Sequence, residues 1–105
     1  MLLLQELARN HPKFMLGAGI LSSPYADLTH SGESGIYNLN EDGMVGKYYK
    51  IVWDRKLITG GIDLADPRVS AVFGSFEGLP PLYFIVGSTE VLYSDTMRAA
   101  HKAKS

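Results

Sequence analysis

The sequence contains no cysteine, which excludes a disulfide framework and any thiolate metal site. It also lacks an excess of either charge. Lys plus Arg is 10 against 11 for Asp plus Glu, and a net charge of −1 offers no electrostatic footprint for nucleic acid or an anionic membrane. Long apolar runs are missing too. Met1-Leu2-Leu3-Leu4 begins one, but Glu6 and Arg9 interrupt it before the ~7–15 apolar residues of a secretory signal. Nothing approaches the ~20 apolar residues that span a bilayer, and no Asn-x-Ser/Thr acceptor occurs. These absences favour a cytoplasmic location. What is present is ordinary globular composition, 105 residues with 46% hydrophobic and 20% charged, enough for one modest domain over residues 1–105.

Leu3, Leu4, Leu7 and Ala8 fall at helical spacing, so residues 2–10 read as a helix, stopped by Asn10-His11-Pro12. Met15–Ser22 reads as a buried strand ended by Pro24. Residues 26–41 are rich in Gly, Ser, Asn and Asp and read as loop. Met44, Val45, Tyr48, Ile51 and Val52 recur at helical spacing with Asp42 as N-cap, and Gly60-Gly61 is a stop. Val69–Phe73 reads as a short helical or extended piece. Gly78-Leu79-Pro80-Pro81 leads into Leu82-Tyr83-Phe84-Ile85-Val86, a strand apolar at every position and therefore expected to be buried on both faces. A final helix follows, capped near Ser94, with Asp95 in its first turn, Lys102 and Lys104 in its last, and Met97, Ala100 and Ala103 facing inward. Helix, strand, helical insertion, strand and helix make part of an α/β fold with parallel strands and flanking helices. Two strands leave edges and apolar faces that need neighbours.

Few motifs for chemistry survive inspection. Gly32-Glu33-Ser34-Gly35-Ile36 lacks the second glycine of a nucleophile elbow and has no strand before it, so Ser34 is not expected to be a nucleophile. Gly17-Ala18-Gly19 lacks the third glycine of a dinucleotide fingerprint and reads as packing. His11, His30 and His101 show no metal-binding spacing, and all three are expected in solvent-facing turns or helix; no metal or cofactor is implied. Tyr25, Tyr37, Tyr48, Tyr49 and Trp53 gather around the insertion, as a satellite core or a pocket wall. Glu90 stands out because it follows the clearest strand, and in open α/β sheets chemistry collects beyond the carboxyl ends of strands. A charge at the helix amino terminus is the equally weighted alternative. Asp27 follows the other strand and suits a turn or cap.

Three stretches resemble the hormone-sensitive-lipase-like α/β-hydrolases. Leu21-Ser22-Ser23-Pro24-Tyr25-Ala26-Asp27-Leu28-Thr29-His30-Ser31-Gly32-Glu33-Ser34 is similar to that family's "SPW-x-DLT-x-SGES", with Tyr25 in place of a frequent Trp. Asp66-Pro67-Arg68-Val69-Ser70-Ala71-Val72-Phe73-Gly74 is similar to its "DP-x-x-SP-x-(F/Y)G", and Leu79 through Leu92 to its "LPPLLIQVGS-x-E-x-L". They occur in family order. The resemblance implies a partial α/β-hydrolase fold and Ser-Asp/Glu-His chemistry on small-molecule carboxylic esters, with Glu90 at the position of the acid and Tyr25 and Asp27 near the substrate pocket. Many relatives carry Asp-Pro there, where this chain has Glu90-Val91. The family's serine elbow lies before the matched portion and its histidine after it; His101 sits too early to serve. The expectation is therefore a fragment of an ester hydrolase that supplies the acid and is inactive alone. The alternative is a short non-catalytic protein that associates with a related hydrolase through exposed strand edges.

Overall fold

The computed structural model describes residues 1–46, 49 and 59–105. Helix α1 spans Leu2–Asn10 and is followed by a 3₁₀ turn, Pro12–Phe14, begun by a proline whose missing N–H costs nothing there. Strand β1 is Gly19–Ser22, helix α2 is Ser34–Tyr37, a second 3₁₀ turn covers Ala71–Phe73, strand β2 is Leu82–Ile85, and helix α3 is Tyr93–Lys104. The two strands pair in parallel, Gly19 opposite Leu82 through Ser22 opposite Ile85. Among the described residues no helix is long and apolar enough to cross a membrane.

Both strands are shorter than their apolar runs. Pro80 and Pro81 have no N–H to donate, so the ladder closes at its amino end with Gly19 N–H on the Pro81 carbonyl at 2.9 Å. Met15–Ala18, expected in the strand, therefore precede it. At the other end Ser23 turns away with a φ of 44°.

The pairing sorts the side chains onto two faces. Gly19, Leu21, Leu82 and Phe84 are half-buried beneath α1 and α3. A Cβ on Gly19 would lie 3.1 Å from Leu4 Cδ1 and 2.9 Å from Leu82 Cδ2, so glycine lets α1 approach β1 closely. The opposite face is bare: Ile20 is 74% exposed, Tyr83 65% and Ile85 49%. The expected burial of β2 on both faces is thus not met among the described residues, because both helices lie on one side.

Helix α3 also turns differently from its apolar pattern. Its buried residues are Asp95, Thr96 and Ala99, while Ala103 is exposed and Met97 and Ala100 are only half-buried. Ala100 and Ala103 instead border an open groove with Phe76, Leu79, Leu82 and Phe84. The helix begins at Tyr93 without a side-chain cap, so Ser94 is its second residue rather than its cap. Most of the helix expected over Met44–Val52 lies outside the described residues; Met44 and Val45 sit in turns.

Candidate active site

Because the strands are parallel, the chain leaves both at the same edge of the sheet. Residues 23–31 depart from β1 and residues 86–92 from β2, with Ser23 N–H on the Ile85 carbonyl at 2.8 Å joining the two exits. Glu90 lies in the second loop, half-buried. Its side chain folds back so that Oε1 accepts the Gly87 N–H at 2.9 Å. A Cβ on Gly87 would meet Oε1 at 3.0 Å and Cγ at 3.3 Å, so the glycine of Gly87-Ser88-Thr89-Glu90 makes room for the carboxylate. Glu90 N–H returns to the Gly87 carbonyl at 3.1 Å and closes the turn.

The glutamate's loop rests on the segment that follows Asp27's loop. Ser34 Oγ donates to the Val91 carbonyl and accepts the Ser94 N–H at 2.8 Å, while Ser34 N–H donates to Ser94 Oγ at 2.9 Å. Asn38 Nδ2 donates to the carbonyls of Ser88 and Glu90 at 2.9 and 2.8 Å. Asp42 Oδ2 accepts Val91 N–H at 2.9 Å, and its Oδ1 accepts Met44 and Val45 N–H at 3.0 and 2.9 Å, the capping contacts expected of it. Burial would raise the Asp42 pKa, but the Val45 and Val91 hydrogen bonds outweigh it and lower it. Ser34 is fully buried, with its hydroxyl committed to the loop backbone.

Asp27 is 0% exposed, and its carboxylate meets residues of this chain on every side. Oδ1 accepts Thr29 N–H at 2.8 Å and the Thr29 hydroxyl, the Asx turn expected at this position. Oδ2 accepts the Ser31 hydroxyl and pairs with Arg98 Nη1 of α3 at 2.7 Å. Burial alone would raise its pKa; the hydrogen bonds from Ser31, Thr29 and Arg98 hold it at about 2. Beneath it, Asp95 Oδ2 accepts the N–H groups of Ala26 and Asp27 at 3.1 and 3.0 Å. Asp95 Oδ1 is buried without a hydrogen bond. Burial pushes the Asp95 carboxyl up to about 6, reinforced by the Asp27 charge and opposed by the two N–H groups.

Tyr25 is half-buried and its hydroxyl bonds His30 Nε2. His30 has a φ of 58° and stacks on Tyr49 with centroids 3.8 Å apart. It is half-buried, not solvent-facing as expected, because its ring packs against Tyr25 and Tyr49. Tyr37 is 54% exposed, and Tyr48 and Trp53 lie outside the described residues. His101 is exposed on α3, along a groove shared with Tyr37, Tyr93 and Arg98. Among the described residues no three His, Cys, Asp or Glu side chains converge as a metal site.

Sequence reasoning missed the joint role of Ser34, Asn38 and Asp42. Their spacing of four was the available signal, since residues four apart share a face wherever the chain winds helically. It likewise read Asp95 only as a helix-end charge. No local pattern distinguishes a buried first-turn aspartate from an exposed one.

Residues 1–105 match the family model described as alpha/beta hydrolase fold. An esterase of Acinetobacter venetianus is 36% identical over 96 residues, 91% of this chain and 32% of that protein. The crystal structure of a doubly substituted esterase superposes with a TM-score of 0.86 at 31% identity, covering 98% of this chain and 34% of that one. A hormone-sensitive lipase from a metagenome library gives a TM-score of 0.75 at 25% identity, over 96% of this chain and 34% of the lipase. The chain thus spans about a third of the length of each. With the parallel strand pair, its flanking helices and a family match over residues 1–105, the chain belongs to the α/β-hydrolase fold family.

Proposed function

We propose that residues 1–105 form the acid-bearing part of a serine carboxylic-ester hydrolase acting on small-molecule esters. The observation that carries this reading is Glu90 in the turn after β2, its carboxylate held by Gly87 N–H at the strands' carboxyl edge. Glu90 accepts a hydrogen bond from the Nδ1–H of a histidine, keeps its Nε2 free to take a proton from the nucleophilic serine, and stabilises the imidazolium that results. An acid alone performs no nucleophilic catalysis, so serine and histidine come from polypeptide beyond the matched third. Tyr25 forms one wall of the substrate pocket, and Asp27 holds the loop that carries Tyr25.

The test places residues 1–105 in the Acinetobacter venetianus esterase in place of its matching third and follows hydrolysis of a p-nitrophenyl ester. Glu90→Gln is expected to lower kcat by ~10³–10⁴-fold, as loss of a triad acid does elsewhere, with Glu90→Asp retaining part of the rate. Residues 1–105 alone are expected to show no turnover above the blank. Equal turnover of the chimaera before and after the Glu90→Gln substitution would remove the acid from the mechanism.

A non-catalytic reading has one observation in its favour, the bare apolar face of Ile20, Tyr83 and Ile85. On that reading the chain associates with a related hydrolase through its strand pair, and purified chain would pull down such an enzyme without altering its rate.

A further inference from the structure

We propose that Asn38 and Asp42 are positioning residues for Glu90, setting its carboxylate by gripping the backbone on either side of it. The inference rests on reading Glu90 as the acid and adds the part of the molecule that orients it.

Backbone bonds wind residues 34–46 with a repeat of four. Asn38 N–H bonds the Ser34 carbonyl at 3.0 Å, Asp42 N–H the Asn38 carbonyl at 2.9 Å, and Gly46 N–H the Asp42 carbonyl at 3.2 Å. Each bond spans four residues, so Ser34, Asn38 and Asp42 line up along one side although only Ser34–Tyr37 form a regular helix. All three are at least nine-tenths buried. Their polar atoms meet consecutive backbone groups of the opposite loop: the Ser88 and Glu90 carbonyls, Val91 N–H and carbonyl, and Ser94 N–H.

Division of labour follows from chemistry. Asn38 has two amide hydrogens and spends them on the carbonyls of Ser88, two residues before Glu90, and of Glu90 itself, fixing the Ser88–Thr89 and Glu90–Val91 peptide planes. Asp42 has only acceptors and takes the N–H that follows Glu90. With both in place the Cα–Cβ bond of Glu90 has one direction, and its carboxylate reaches Gly87 N–H. A glutamate has three side-chain torsions to order. A triad acid must sit within a fraction of an ångström of its imidazole, so a prepared backbone removes part of that ordering before the histidine arrives. Asp42 also caps the turn at Met44 and Val45, so the carboxylate that secures the acid's loop also anchors the start of the insertion.

Gly87 supplies a reporter that needs no turnover. Its amide proton bonds the Glu90 carboxylate, so its exchange with solvent reports whether that carboxylate is held in place. In the 105-residue chain, amide spectra are expected to show a Gly87 proton protected from exchange, a protection that Glu90→Ala abolishes. Asn38→Ala is expected to cut that protection by at least half while the amides of β1 and β2 keep theirs. Asp42→Asn, a milder change that keeps one acceptor but turns an amide towards Val91 N–H, is expected to cut it less. Full Gly87 protection in both variants, or none in the parent chain, would overturn the positioning role. Because this readout is independent of ester hydrolysis, a failed clamp and a failed acid assignment are told apart: the first leaves Glu90→Gln damaging in the chimaera, the second leaves the Gly87 response intact.

Discussion

The strand pair and the loops beyond its carboxyl edge bury opposite kinds of side chain. Among the largest fully buried side chains of the described residues only Val91 is apolar; the others are Gln5, Thr96, Asp27, Asp95, Ser34 and Ser70. Four of them, Gln5, Asp95, Ser34 and Ser70, bond backbone across long sequence separations. Gln5 Nε2 reaches the Ala71 carbonyl, and Ser70 Oγ accepts Leu28 N–H. The strands instead turn Ile20, Tyr83 and Ile85 outward. Within the described residues, then, a dense polar network holds the loops, while the apolar strands are covered on one face. Polar groups removed from water must be paired, and each pairing has a direction, so such a network specifies geometry more tightly than apolar contact does. A site that must hold one carboxylate in one orientation benefits from being built there.

The contrast breaks most severely at Asp27. Asp27→Ala leaves the Arg98 guanidinium and the Thr29 and Ser31 donors without their acceptor, and a loss of about 3 kcal/mol in urea denaturation is expected. A loss below about 1 kcal/mol would mean that water replaces the carboxylate and that the loop layer is less closed than its burial indicates.

Acidity sharpens the comparison at nearly the same scale. The folded-state pKa of Asp95, about 6, lies above the ordinary 3.8, so the folded chain holds this proton more tightly than the unfolded one. Its contribution is greatest below about pH 4 and is lost as pH rises through about 6, a change of about 3 kcal/mol. Asp27 has the opposite sign: held at about 2, it contributes above its ordinary 3.8 and loses that contribution as pH falls towards 2. Denaturation midpoints measured between about pH 4 and 7 are expected to fall with pH, and Asp95→Asn is expected to flatten that slope. An unchanged slope in the variant would assign the dependence elsewhere.

The smallest effect belongs to the bare strand face. Ile20→Thr keeps a β-branched residue at a position 74% exposed, so a change within about 0.5 kcal/mol is expected in the isolated chain. A larger loss would reveal that Ile20 is covered in solution.

Periodicity and turn chemistry made α1, the two strands and α3 legible, since proline, glycine and apolar spacing act locally. The position proposed for the acid, too, could be read from the strand that precedes it. Burial could not be read so directly. Ala103 and Leu3 fit an apolar stripe yet are exposed, while Gln5, Asp95 and Thr96 are enclosed. Which side of a helix faces inward depends on what lies opposite, and here that is the backbone of loops rather than a layer of side chains.

By itself, then, the amino-acid order determined α1, the two strands, α3, their succession and the turn that carries Glu90, because these follow from bond rotations and near neighbours. It did not show α2, whose Ser34–Tyr37 lie in residues read as loop because one turn of helix leaves too little periodicity to read. Tertiary structure alone decided that Ser34, Asn38 and Asp42 would meet residues 88–94, and that Asp27 would pair with Arg98, 71 positions away. Such pairings arise only when distant backbone groups lose water together and must find each other as partners.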